Sequence, residues 1–327
     1  MKRRDLLALG SAALSASALT RKAFAQSKYP DRPIRLVIPY PPGGLYDSTA
    51  RPWAEKAKTI LGTIVIENIG GGGSSLGTAA VARAKPDGYT VLLGGNSGLV
   101  VNPTASTRSP YDTVRDFEPI AVVGRNPTLI NVHPSQPIYT LKDLADYARS
   151  NPGKLSYGSS GVGSVNHLIG ELFKSLSGTD IAHVPYRGAG PALTDLISGH
   201  IPMMLQSVTG QAIEMHNTGK QRILAVTGDA RLEGAPNVPT VAEAGMPALA
   251  ATQFIGLFAP RGTPKAIVEQ IAQGARRAMS DKELQRMFIT AGFEPELDPS
   301  PESTRRMLDA ELAKWTPVIR SIGLKLD

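Results

Sequence analysis

"YPPGGLYDSTAR", residues 40–51, follows the apolar run "IRLVI" (34–38) and leads into a segment with a helical pattern. A buried strand that exits through two prolines and two glycines into a helix start leaves backbone N–H groups unpaired at the helix N-terminus, and such groups attract anions. Gly43 and Gly44 open dihedrals closed to other residues and bring a ligand near the backbone, while Asp47 or Ser48 is placed to cap the helix. The same strand-turn-helix rhythm recurs outward from this point. "IVIEN" (64–68), a helix after "GGGGSS" (70–75) and "YTVLL" (89–93) complete a first set. Short β-branched runs separated by helical stretches indicate a parallel sheet with helices on its faces.

A second set follows. "TLINV" (128–132) precedes "TLKDLADYARS", where Thr140 and Asp143 form a capping box, and "LSYGSS" leads to a helix with apolar positions at Val165, Leu168, Ile169, Leu172, Phe173 and Leu176, stopped by Gly178. "IAHVPY", a helix from Pro191 to Gly199, "IPMML" and "RILAV" (222–226) continue the pattern. After the strand "FIGLFAP" (254–260), the chain is mostly helical from Thr263 onward. Two α/β sets with a C-terminal helical run imply two lobes, and sheets of this kind bind ligands beyond the carboxyl ends of their strands.

Four loops lie at those ends: residues 40–51, "GGNSG" (94–98) with Asn96 and Ser97, "YGSSGVGSVNH" (157–167), and "PYRGAGPA" (185–192) with Tyr186, Gly188 and Ala189. Two such helix N-termini facing each other across a cleft would hold carboxylates through N–H groups, hydroxyls and helix dipoles. Tyr46 and Tyr186 could stack on a ligand, Arg187 could pair with an anion, and Gln206 and Ser207 could add hydrogen bonds. His167, one turn into its helix, reads as a packing or capping residue.

The 327-residue chain has a formal net charge of +7 and no cysteine. Its first 25 residues read as an export signal: a basic start, an apolar stretch of 14 residues from Leu6 to Leu19, and a small-residue exit at Ala23-Phe24-Ala25, with cleavage near Ala25-Gln26 by the Sec or twin-arginine route. The stretch falls short of the roughly 20 residues that span a bilayer. Removing its five Lys/Arg and one Asp leaves 30 positive against 27 negative residues, a net charge of +3. Nothing there supports nucleic-acid binding. An exported chain without cysteine forms no disulfides, and about 300 residues are enough for two domains with a core of their own.

Enzyme motifs are missing. No phosphate loop, dinucleotide fingerprint or metal-ligand spacing among the five histidines occurs, and "GSSGVG" (158–163) lacks the Gly-x-Ser-x-Gly spacing of a hydrolase elbow. The expectation is therefore a protein that is not an enzyme, with no catalytic residue, cofactor or metal. A serine hydrolase using Ser159 or Ser160 with His167 is the alternative from another class.

The ordered set "YPDRPIRLVIPYPPGGLYDSTAR", "NIGGGGSSLGTAAVARAKPDGYTVLLG", "LSYGSSGVGSVNHLIGELF", "HVPYRGAGPALTDLISGHI" and "VPTVAEAGMP" resembles the tripartite tricarboxylate transporter substrate-binding proteins, the Bug family of periplasmic receptors, from about Tyr29 to the C-terminus. The resemblance implies a two-lobed periplasmic binding protein, type II-like, with crossover strands near 121–128 and 250–256. Residues 26–124 plus 253–327 would form lobe 1 and 125–252 lobe 2. It also implies a monomer in the periplasm that delivers a small organic carboxylate to membrane permease subunits, or alternatively a carboxylate sensor reporting to a signalling partner. Carried onto this chain, the family's first loop falls on Pro42, Gly43, Gly44, Leu45, Tyr46 and Asp47, and its second-lobe anion loop on Ser159, Ser160, Gly161, Val162, Gly163 and Ser164. Leu45-Tyr46 would favour a ring-bearing or otherwise apolar acid. The same resemblance keeps the 70–75 loop away from the ligand.

Overall fold

The computed structural model describes residues 29–43 and 45–326, so the expected export segment and Gly44 lie outside the described residues. From Pro33 onward the chain forms one compact unit. It opens with β1 (Ile34–Ile38), α1 (Leu45–Leu61), β2 (Ile64–Asn68), α2 (Ser75–Ala82) and β3 (Thr90–Gly95). Strand β1 pairs in parallel with both β2 and β3. After the short helices α3 (Asn102–Ala105) and α4 (Thr113–Asp116) comes β4, a strand of 16 residues from Phe117 to Val132.

The second α/β set consists of α5 (Leu141–Ser150), β5 (Ser156–Ser159), α6 (Val165–Ser177), β6 (Ala182–Pro185), α7 (Ala189–Ile197), β7 (Met203–Ser207), α8 (Gly210–Asn217) and β8 (Arg222–Val226). The chain returns through β9 (Thr252–Pro260) and finishes with α9 (Lys265–Met279), α10 (Lys282–Thr290), β10 (Glu294–Pro295) and α11 (Pro301–Ser321). Local signals work as expected at several ends. Thr140 and Asp143 make both halves of a capping box on α5, and Gly178 closes α6 at φ 64° with its N–H on Lys174 O.

The strand order is β2-β1-β3-β9-β4-β7-β5-β6, with β8 and β10 also pairing to β4. The sheet is mixed rather than parallel: β9 runs antiparallel to β3 and β4, and β4 runs antiparallel to β7 and β8. The pairing partners of β4 change along its length. Phe117–Pro127 lies against β9, whereas Thr128–Val132 lies against β7 and β8. One strand thus belongs to both halves of a two-lobed α/β fold. Pattern reading finds only its second part, because Pro119, Gly124 and Pro127 interrupt the first. The ladder absorbs two of these interruptions with register shifts between Pro119 and Ala121 and between Val122 and Gly124.

Asn126 sits where the partners change. Fully buried, it donates from Nδ2 to Gly292 O at 2.7 Å and Val208 O at 3.2 Å and accepts the Val208 N–H at 3.1 Å. Gly292 adopts φ +85°, and a Cβ there would lie 1.9 Å from Val208 O. Asn126→Ala removes the donor from the Gly292 and Val208 carbonyls, while the Val208 N–H keeps Pro127 O at 3.0 Å, and should cost roughly 2 kcal/mol. Urea unfolding should show a lower midpoint at unchanged slope, and a loss below about 1 kcal/mol would remove this junction from the stabilising contacts.

Candidate functional site

Beyond the carboxyl ends of β1 and β5 lies a cavity of about 690 Å³. From the first half it is lined by Pro39, Tyr40, Pro41, Tyr46 and Ser97 and by the turn Gly71–Ser75. The second half adds Ser160 and Val162–Val165, and Gln253 of β9 closes the floor. Asn102 and Leu326, from the segment after α11, complete the wall. None of these lining residues is charged.

Among the described residues of the stretch Pro42–Asp47, Tyr46 lines the cavity, next to Tyr40 and Pro41 just before it. Helix α1 begins at Leu45, ahead of the expected caps, so Asp47 takes its third position. The Asp47 carboxylate accepts the Gly43 N–H at 2.9 Å and the Arg51 guanidinium at 3.0 and 2.9 Å. That guanidinium holds its pKa below the usual carboxylate range. Asp47 ties the turn down, and Pro42, Gly43 and Leu45 do not line the cavity. Tyr46 stacks on Tyr40, with centroids 4.4 Å apart, and donates its hydroxyl to Phe254 O at 3.2 Å. Gly95 makes this reach possible, since a Cβ there would lie 2.0 Å from the Tyr46 hydroxyl. Burial raises the pKa of both phenols, which stay neutral. The ring expected to stack on a ligand is engaged with Tyr40 and β9.

Asn96 and Gln206, also expected to bind, are fastened inside the fold. Asn96 donates to Glu311 Oε2 at 2.6 Å and accepts the Phe254 N–H at 2.8 Å, joining β3, β9 and α11. Gln206, 2% exposed, donates to Gln221 Oε1 at 3.1 Å. Tyr186 donates to Asp195 Oδ2 at 2.7 Å, and neither it nor Gly188 and Ala189 lines the cavity.

The 159–164 loop fares differently. Ser160, Val162, Gly163 and Ser164 line the cavity, while Ser159 and Gly161 brace them from behind. Ser164 caps α6 by accepting the His167 N–H at 3.2 Å and donates its hydroxyl to Gly161 O at 2.8 Å. Ser159 Oγ takes the Gly161 N–H at 3.2 Å and lies 2.7 Å from His183 Nε2. His167 Nδ1 accepts the Gly163 N–H at 3.2 Å. The two imidazoles stack at 4.0 Å, so a pair of histidines supports both ends of the loop. The serine–histidine pairing that would make a hydrolase does not form with His167. Ser159, fully buried, lies 2.7 Å from His183 Nε2 instead, and Ser160 Oγ faces Asn166 Nδ2 at 3.4 Å.

Sequence reading missed part of the wall. The 70–75 loop, expected to be structural, contributes Gly71–Ser75. Its glycines are visible in the sequence, but nothing local sets this turn apart from the glycine turn between β1 and α1. Gln253 and Leu326 carry no local signal. Leu326 is brought in by its N–H bond to Ala105 O at 3.2 Å, and it packs beside Gly163.

Residues 49–324 match the family described as tripartite tricarboxylate transporter family receptor. The chain is 33% identical over 300 residues to Protein BugT of Bordetella pertussis, covering 91% of each. Among solved structures it resembles that of the periplasmic binding protein BugD, with 31% identity and a TM-score of 0.74 over 91% of this chain and 99% of that one. It also resembles R. palustris Rpa4515 with adipate, with 33% identity and a TM-score of 0.77 over 91% and 99% of the two chains.

The histidine pair makes the loop sensitive to acid. Burial is the main cause that lowers both pKa values, that of His183 from 6.5 to about 4, with His167 beside it adding to the shift. Glu171 opposes the shift in both and Lys174 favours it, while Tyr157 stacks on His183 at 4.8 Å. Each imidazole binds protons more weakly folded than unfolded, so the stability it contributes is complete above pH 6.5 and falls toward about pH 4. The melting temperature should drop across that window, and His183→Gln should flatten the drop. Equal pH slopes in the two proteins would show that the pair does not carry it.

Proposed function

The chain belongs to the tripartite tricarboxylate transporter receptor family, and from that membership we propose that it is an exported periplasmic receptor that captures a small organic carboxylate between its two lobes. The observation that carries this reading is a cavity with no charged residue among its described lining residues, walled by glycine- and serine-rich turns from both halves of the sheet. In such a cavity an anion is met by backbone N–H groups and hydroxyls. The first turn of α6 supplies N–H groups with no intrahelical acceptor, and the helix dipole adds about 0.3–1 kcal/mol. The similarity to a structure with bound adipate supports an acid as the ligand.

The lobes are residues 26–124 plus 253–327 and residues 125–252. The change of partners on β4 and the bonds between Thr227 and Ala251 support crossings near Pro127 and Thr252. Closure about these strands traps the acid, because a ligand shifts a hinge only by its differential affinity for the two states. The closed monomer is then presented to permease subunits in the membrane. It performs no catalysis. Cleavage of the signal near Ala25-Gln26 releases it, and no described helix is long and apolar enough to cross a membrane.

Titration calorimetry with a panel of aliphatic and aromatic acids, followed by X-ray scattering, tests the reading. A tight-binding acid should reduce the radius of gyration, and a tight binder without compaction would remove the closure mechanism. Val162, 54% exposed on the cavity wall, provides the site test. Val162→Asp should weaken binding by roughly tenfold or more through like-charge repulsion. The melting temperature should hardly move, as for most surface substitutions. Wild-type affinity in that variant would displace the acid from this cavity.

A further inference from the structure

The segment directly after α11 is packed on alternate residues. Ile322, Leu324 and Leu326 are half-buried against the core, whereas Gly323 and Lys325 are exposed. A period of two is that of an extended chain lying on an apolar surface. The turn that starts it is fixed. Gly323 takes φ 63° and donates its N–H to Arg320 O at 3.1 Å, and Leu324 donates to Ile319 O at 3.2 Å, the paired bonds of a glycine helix stop. Since Met307, Leu308, Trp315 and Ile319 of α11 are buried, the segment leaves from a firm base.

Its far end touches both halves of the fold. On the first half, the Leu326 N–H bonds Ala105 O at 3.2 Å, at the end of α3. On the second, the Leu326 side chain meets the loop before α6: a Cβ added to Gly163 would lie 3.3 Å from Leu326 Cδ1 and 3.5 Å from Val101 Cγ1. Gly163 has φ +76°, and with no side chain it lets the loop backbone rest on these two residues of the first half. Behind it, His167 Nδ1 accepts the Gly163 N–H. The loop is thus held by hydrogen bonds within its own half and by apolar contact with the other. Such contact is non-directional and re-forms after a small shift. Leu326 lines the cavity together with Val162 and Ser164, so the side chain that backs the loop also borders the ligand space.

We propose that residues 322–326 are a strap that seats the 159–164 loop of the second half on the first, and that Leu326 sets the length of acid the cavity admits. The seating follows from contacts of the protein alone. The length limit rests on the carboxylate-receptor reading above and adds a specificity-determining residue to it. A shorter side chain at this position removes the support under Gly163 and lengthens the cavity on that side. Wall and support are one residue, so the two effects appear together.

Two measurements on the whole protein test the strap. Amide hydrogen exchange without ligand should be roughly tenfold faster across 159–164 in Leu326→Ala, with β1–β3 unchanged, because the loop then opens without global unfolding. Titration calorimetry with straight-chain acids, butyrate to octanoate and succinate to suberate, should show that Leu326→Ala accepts a chain at least one methylene longer than the wild-type protein does. Leu326→Met, which conserves volume, should keep the wild-type behaviour in both measurements. Lys325→Ala, on the exposed side, should do the same. Wild-type exchange across the loop in Leu326→Ala would overturn the seating, and an unchanged chain-length limit would overturn the specificity role. If no acid binds the wild-type protein, the carboxylate reading and the length limit fall together, while exchange still decides the strap.

Discussion

The backbone pairing of β4 underlies everything else in this molecule. Its first eleven residues complete a ladder with β9, and its last five complete another with β7 and β8. A buried N–H or carbonyl left unpaired costs about 1–3 kcal/mol, so neither half of the sheet can detach from this strand cheaply. The shared ladder keeps the two halves in register, and it sets the turns at the ends of β1, β2 and β5 around one cavity. Gln253 shows how close the crossing lies to that cavity: it lines the floor and donates to Ser207 Oγ at 2.7 Å. Gln253 therefore links the cavity to the strands that join the two halves of the sheet.

The chemistry of the cavity depends on which polar groups the fold has already used. Asp47, Asn96, Ser159 and Gln206 look available in a linear sequence, yet each is bonded within the fold. What remains exposed to the cavity is weakly polar on its own: turn N–H groups, a few hydroxyls and apolar side chains. Such donors suit an anion that must be released again, because they provide directional bonds without the full charge of an arginine. The charged residues near the site work behind it. Arg51 secures Asp47 under the first turn, and Glu311, whose burial raises its pKa, ties Asn96 and Trp315 together.

Much of the fold was legible because its elements follow local rules. The apolar runs at 34–38, 64–68 and 222–226 are strands, and Thr140 with Asp143 and Gly178 mark helix ends where expected. The 160–164 part of the cavity wall was legible for the same reason, since a Gly/Ser turn before an amphipathic helix is a local pattern. The first half of β4 was hidden by prolines that the ladder accommodates with bulges. The first-strand loop was legible as a turn, but that its Asp47 is bound by Gly43 and Arg51 was not, because nothing local distinguishes a free aspartate at a helix start from one used to tie the turn down.

The sequence by itself determined the kind of molecule: alternating strands and helices, glycine turns at strand ends, and no cysteine. These follow from dihedral preference and hydrophobic period, which act over a few residues. Only the tertiary structure decided which turns share a cavity and that Gln253 and Leu326 complete the wall. Those facts depend on pairing between strands more than a hundred residues apart, as when Pro127 meets Thr252. No short stretch of chain carries that information, because a hydrogen bond across the sheet is chosen by the competing pairings of the whole chain.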